Sequence, residues 1–128
     1  MDEDAEDAFE DAYSKLGDAK RAIANDIAHV GDYISRAMAY AIDGWLMAHD
    51  LMAGYTDSYA TFQKEAAFAG SETLGHIQIK AARLEFWLLG DPDIPAEKPF
   101  SMEEWKSAAY ALIGEARTAI KLTKRDCR

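Results

Sequence analysis

Three histidines and one cysteine are the residues of this chain best suited to chemistry. His29 lies between Asp26 and Asp32, each three residues away. On a helix that spacing stacks the three side chains along one side, as an acid–base pair or a partial metal-ligand set requires. Metal centres draw ligands from more than one element, and no second set accompanies these, so the plainer expectation is a solvated, ion-pairing face. Glu72 and His76 are four apart. Di-metal bundles need Glu-x-x-His twice, and that four-residue pattern occurs nowhere in the chain. His49 interrupts an apolar stripe, Met38, Ile42, Trp45 and Met52, and these five residues are the candidates for a ligand pocket. A buried histidine needs a hydrogen-bond partner and titrates near neutral pH, so His49 is also a candidate sensor. Cys127 stands among Arg125, Asp126 and Arg128 near the end of the chain, without a base to activate it, and reads as an exposed, incidental thiol. Phosphate-binding glycine loops, Ser–His–Asp spacing and paired catalytic acids are absent. The expectation is a non-enzyme with no cofactor and no metal.

Acidity offers a second kind of site. The formal net charge is −9 over 128 residues, and it is unevenly placed. Residues 1–18 contain eight acids and one base, Lys15. Residues 117–128 contain five bases and one acid, Asp126. Acids at a helix start and bases at a helix end both complement the helix dipole. The same acids can instead form a docking surface for a basic partner. The candidates are Asp2, Glu3, Asp4, Glu6, Asp7, Glu10 and Asp11, with Asp43 and Asp50 further on. Nucleic acid is an unsuitable partner, since the bases do not gather on a groove-sized face. Mimicry of nucleic acid would need carboxylates across a whole surface, and here they occupy one short segment.

The elements that must hold these residues read as helices throughout, with no useful run of strand alternation. Pro92, Pro95 and Pro99 are the only prolines and confine the one long loop to 90–100. From Ala37 to Tyr55 only Asp43, His49 and Asp50 are strongly polar. A helix apolar on nearly all sides must be covered on nearly all sides, by its own chain or by a companion. Two heptad rows lead into it: Phe9, Leu16, Ile23, Val30, Ala37, Gly44, Leu51 and Tyr13, Lys20, Ile27, Ile34, Ala41, Ala48, Tyr55. Gly17 and Gly31 mark where this register can break. The reading is a short acidic helix over about 3–16 and a long central helix over about 18–53, ended by Gly54. A third helix follows over about 57–69. Ser71 is read as the cap of a fourth, whose stripe is Leu74, Ile77, Ala81, Leu84 and Leu88. Ser101 and Glu104 form a capping box, with Phe100 and Trp105 as a hydrophobic staple, opening a last helix over about 102–124 with Met102 and Trp105 on its inner face. Residues 125–128 read as a frayed basic tail.

The fold class expected is therefore an all-α, single-domain antiparallel bundle of four to five helices around a central, nearly all-round apolar helix. The expected core is Ile23, Ile27, Val30, Ile34, Ala41, Trp45, Leu51, Phe62, Leu74, Ile77, Leu84, Leu88, Trp105, Leu112 and Ile120. The N-terminus has no apolar signal region, and charge within the 37–55 run argues against a membrane span, so a cytoplasmic protein is expected. The functional expectation is a small acidic interaction protein, an inhibitor or adaptor that docks on a basic protein. Its likeness to acidic immunity, antitoxin and anti-defence proteins is one of size, charge and helix content, with no shared motif. A self-assembling homo-oligomer, joined through the small residues of 37–48, and a ligand- or metal-binding bundle built on His49 are the alternatives.

Overall fold

Helix formation begins at Asp2, whose side chain accepts a hydrogen bond from the Asp4 N–H at 3.1 Å. Glu3, Asp4 and Glu6 in the first turn complement the positive helix end. In this computed structural model, which describes residues 2–51, 58–67, 70–89 and 101–127, the helices are α1 (Glu3–Asn25), α2 (Val30–Ala48), α3 (Ser58–Glu65), α4 (Thr73–Leu89) and α5 (Met102–Arg125). The result is an all-α bundle.

The break expected at Gly17 does not occur. Buried Leu16 and Ala19 flank that glycine, and their packing offsets its low helix propensity. The chain turns instead at Asp26, through a 3-10 turn at Ile27–His29, just ahead of Gly31. The heptad that reads as one continuous stripe is thus folded in two. Phe9, Leu16 and Ile23 on α1 face Val30, Ala37 and Gly44 on α2, and each half serves as the other's partner. The Phe9 ring lies 2.9 Å from where a Gly44 β-carbon would stand, and the Lys15 ammonium lies 5.3 Å from the Tyr33 ring centre. Both contacts require an antiparallel hairpin.

Helix α2 contacts each of the other four, so the central helix is a finding, although it spans 30–48 rather than 18–53. Its exposed edge is narrow: Arg36 and Ala39 are exposed, with Asp32 and Asp43 half-buried beside them. Its end is a Schellman turn. Asp50 takes the left-handed conformation with φ 55°, its N–H bonds the Met47 carbonyl at 3.2 Å, and the Leu51 N–H bonds the Leu46 carbonyl at 2.8 Å. Gly54, expected to end this helix, lies outside the described residues, as does Phe100.

Helices α4 and α5 complete the bundle. The turn before α4 is Gly70–Glu72, so the helix starts two residues beyond the expected Ser71 cap. It runs antiparallel to α2: midway along it the Ala81 carbonyl lies 2.5 Å from where a Gly31 β-carbon would stand, and one turn earlier the Gln78 side-chain amide donates to the Ser35 carbonyl at 3.3 Å. The expected cap of α5 is present: the Ser101 hydroxyl accepts from the Glu104 N–H at 3.2 Å. One turn on, buried Trp105 donates its indole N–H to the Leu84 carbonyl at 3.0 Å, tying the start of α5 to α4. Both α2 and α5 touch α1 and α4 and also each other, whereas α1 and α4 do not meet among the described residues. The cross-section is a rhombus whose short diagonal is α2–α5. Ala37 and Ala41 on α2, and Ala109, Ala116 and Ala119 on α5, are buried along this bundle and keep its helices close.

The core gathers most of the expected residues, with Ile27, Leu51 and Leu88 only partly buried at its margin. Phe9, Leu16, Met38, Ile42, Leu46 and Ile113 belong to it as well. Met102 is exposed rather than inward, and Ile79 on α4 is a further large apolar side chain in the open. The end of α5 is held rather than frayed. The Asp126 carboxylate accepts the Trp45 indole N–H at 2.9 Å, and the Cys127 thiol packs against the core and donates to the Thr123 carbonyl at 3.4 Å. No helix among the described residues is long and apolar enough to cross a membrane.

Candidate functional site

The first three turns of α1 place Ala5, Ala8, Phe9 and Ala12 inward, fully or nearly so. Everything else there turns outward. Asp2, Glu3, Asp4, Glu6, Asp7, Glu10 and Asp11 are all exposed, and none forms an ion pair with any described residue. Glu3, Asp7 and Glu10 follow one line along the helix; Asp4 and Asp11 flank it on one side and Glu6 on the other. Seven carboxylates on about three turns with no base before Lys15 make a concentrated negative surface. From Lys15 on the character changes, because Lys15 and Arg21 both pair with Asp18.

Asp43 and Asp50 do not extend that surface. Asp43 is half-buried, hydrogen-bonds Ser58 at the α2–α3 junction, and has its carboxyl pushed up by burial against that bond's lowering effect. Asp50 is exposed at the end of α2. Antiparallel packing puts it at the same end of the bundle as the start of α1.

The ligand-pocket candidates are distributed differently from what their stripe suggests. Met38 and Ile42 are 0% and 2% exposed and are part of the packed core. Trp45 is buried too, edge-on to Phe62 with ring centres 5.3 Å apart. His49 is exposed rather than buried and stacks on the Trp45 ring at 4.0 Å. Being the last residue before a left-handed turn, it lies where the apolar stripe has already run out. Met52 is outside the described residues.

The Asp26–His29–Asp32 trio is divided between two pairs. His29 Nδ1 meets Asp26 Oδ1 at 2.7 Å, which raises the imidazole pKa above its ordinary value, while Asp32 pairs with Arg36 at 3.0 Å. Glu72 and His76 are both exposed on the rim of a cleft of about 400 Å³, which Tyr59, Phe62, Gln63 and Ser71 also line. No group of three His, Cys, Asp or Glu able to hold a metal occurs among the described residues. Cys127 is half-buried rather than exposed, and burial and the neighbouring Asp126 push its thiol up to about 11, which makes it a weak nucleophile.

One surface escaped the sequence reading. On α5, Tyr110, Gly114, Arg117, Lys121 and Arg125 follow a single helical line and are all exposed. The signal was present as spacings of four, three, four and four, but these bases read as complements of the helix dipole and as tail. The Arg117 charge acts on the Tyr13 phenol of the neighbouring α1, lowering a pKa that burial raises by more. The bundle therefore carries an acidic line on α1 and a basic line on α5, side by side and antiparallel. Comparison of this chain with protein-family models, with curated proteins and with solved structures finds no match in any of the three.

Proposed function

We propose that this chain is a non-enzymatic interaction protein, an inhibitor or adaptor whose acidic α1 face docks on a basic region of another protein. The observation that carries this reading is the set of seven exposed carboxylates of α1, none in an ion pair with a described residue. Such a face attracts a basic partner over about 10 Å at moderate ionic strength and speeds encounter more than it deepens affinity. The acidic face contains no large exposed apolar side chain; Ile79, Met102, Tyr110 and Leu122 are on α4 and α5. Binding through α1 is accordingly electrostatic, fast and strongly weakened by salt.

The test compares the wild-type protein with an Asp7→Lys, Glu10→Lys variant as bait, eluting captured proteins with increasing salt and identifying them by mass spectrometry. The expected result is a basic protein retained by the wild type, released by salt, and lost with the variant. Capture that is equal for both baits, or no captured protein at all, overturns the reading.

A further inference from the structure

We propose that this chain pairs with a second copy of itself about a two-fold axis parallel to the bundle, each copy's acidic α1 line lying antiparallel on the other's basic α5 line. The surface that needs an occupant is the outer face of α5. Tyr110 is 48% exposed, nothing stands within 4 Å of where a Gly114 β-carbon would be, and Arg117, Lys121 and Arg125 form no ion pair with a described residue.

Charge complementarity and register select the occupant. Along α1 the outward line runs Glu3, Asp7, Glu10, Ser14, Gly17. Along α5, taken backward, it runs Arg125, Lys121, Arg117, Gly114, Tyr110. Laid antiparallel, the two lines match step for step. Glu3 meets Arg125, Asp7 meets Lys121 and Glu10 meets Arg117. Ser14 then meets Gly114, two small groups that let the helices approach, and Tyr110 meets Gly17, beside which the Arg21 guanidinium lies. Levels agree as well. Within one copy the Arg117 charge acts on Tyr13, and Trp45 near the end of α2 meets Asp126 at the end of α5 while Gly44 of α2 lies against Phe9 near the start of α1, so α1 and α5 already run antiparallel with matched ends. Rotation about an axis parallel to the helices keeps every residue at its own level. It carries α1 of the second copy over α5 of the first, within about one helical turn of the register above, and closes an isologous pair.

Sedimentation velocity on the full chain tests the pairing. The wild type is expected to form dimers whose dissociation constant rises about ten-fold or more between about 50 and about 500 mM salt. Asp7→Lys with Glu10→Lys, and separately Arg117→Glu with Lys121→Glu, are each expected to be monomeric, with helical circular dichroism unchanged because all four positions are exposed. An equimolar mixture of the two variants is expected to restore dimers, since reversed faces again meet their opposites. As a second measurement, a Ser14→Cys copy mixed with a Gly114→Cys copy, both in a Cys127→Ser background, is expected to cross-link under mild oxidation. A wild type that stays monomeric throughout, a dimer that both reversals leave intact, a charge-reversal mixture that stays monomeric, or a cysteine pair that does not cross-link overturns the proposal. The pairing does not rest on the docking reading and competes with it for the same acidic line; Arg117→Glu with Lys121→Glu separates the two, because it removes the pairing while leaving that line open to a basic partner.

Discussion

The Asp26–His29 pair shows how much one residue can report about its surroundings. The aspartate holds the imidazole pKa above its ordinary 6.5. A raised folded-state value means that the folded protein binds the proton more tightly than the unfolded chain does. The pair's contribution is therefore fully present below about pH 6.5 and is lost as pH rises through the higher folded value. The melting temperature of Asp26→Asn should consequently fall below that of the wild type at about pH 5.5 and draw level at about pH 8.5, with the His29 midpoint moving down in an NMR titration. The pairing itself was legible from spacing, but its partition was not. Asp26 and Asp32 stand equally far from His29 in sequence, and only the turn at 26–29 decides which of them the ring meets. The half-burial of Cys127 was illegible for a related reason: a place beside the last residues suggests exposure, and only the packing of α5 sets the core beneath the thiol.

At the scale of elements, two glycines in similar helical settings have opposite expected responses. A β-carbon at Gly31 would stand 2.5 Å from the Ala81 carbonyl, whereas at Gly17 it would meet only the Arg21 side chain, at 3.5 Å and beyond. Gly31→Ala is expected to destabilise the protein by about 1–3 kcal/mol because α2 and α4 must separate. Gly17→Ala should stabilise it by about 0.5–1 kcal/mol through helix propensity. Denaturant titration of both variants checks the pair. Asp50 gives a third case. Its φ of 55° is costly for a side chain with a β-carbon, so Asp50→Gly should raise stability by about 1 kcal/mol, read as a higher melting temperature. These positions also explain which boundaries the sequence made visible. Ser101 capped α5 as its spacing to Glu104 required, because a capping box is local chemistry. The end of α2 was not visible, since aspartate in a left-handed turn leaves no mark that distinguishes it from aspartate on a helix surface. Nor did a heptad crossing from Ile23 to Val30 reveal that it folds back on itself, because period alone does not distinguish one long stripe from two facing ones.

At the scale of the whole molecule, apolar periodicity anticipated the bundle and its covered middle helix, because burial follows directly from which sides of a helix are apolar. The arrangement of charge depended on topology. That α1 and α5 are neighbours follows from the rhombic packing, and only this adjacency turns two terminal charge clusters into parallel lines of opposite sign on one surface. The sequence could not show that the stripe at Met38, Ile42 and Trp45 is filled by its own chain rather than by a ligand, since both would select the same residues.

The bond from Trp45 to Asp126 joins residues 81 apart in sequence, whereas α1 and α2 are linked by a single tight turn. Closing that hairpin costs little chain entropy, and drawing the last residues back onto α2 costs much more. Assembly should thus begin at the hairpin and finish with the tail fastening. In stopped-flow measurements Asp126→Ala is expected to accelerate unfolding several-fold and leave the refolding rate nearly unchanged, which makes the end of α5 a latch on the lifetime of the fold.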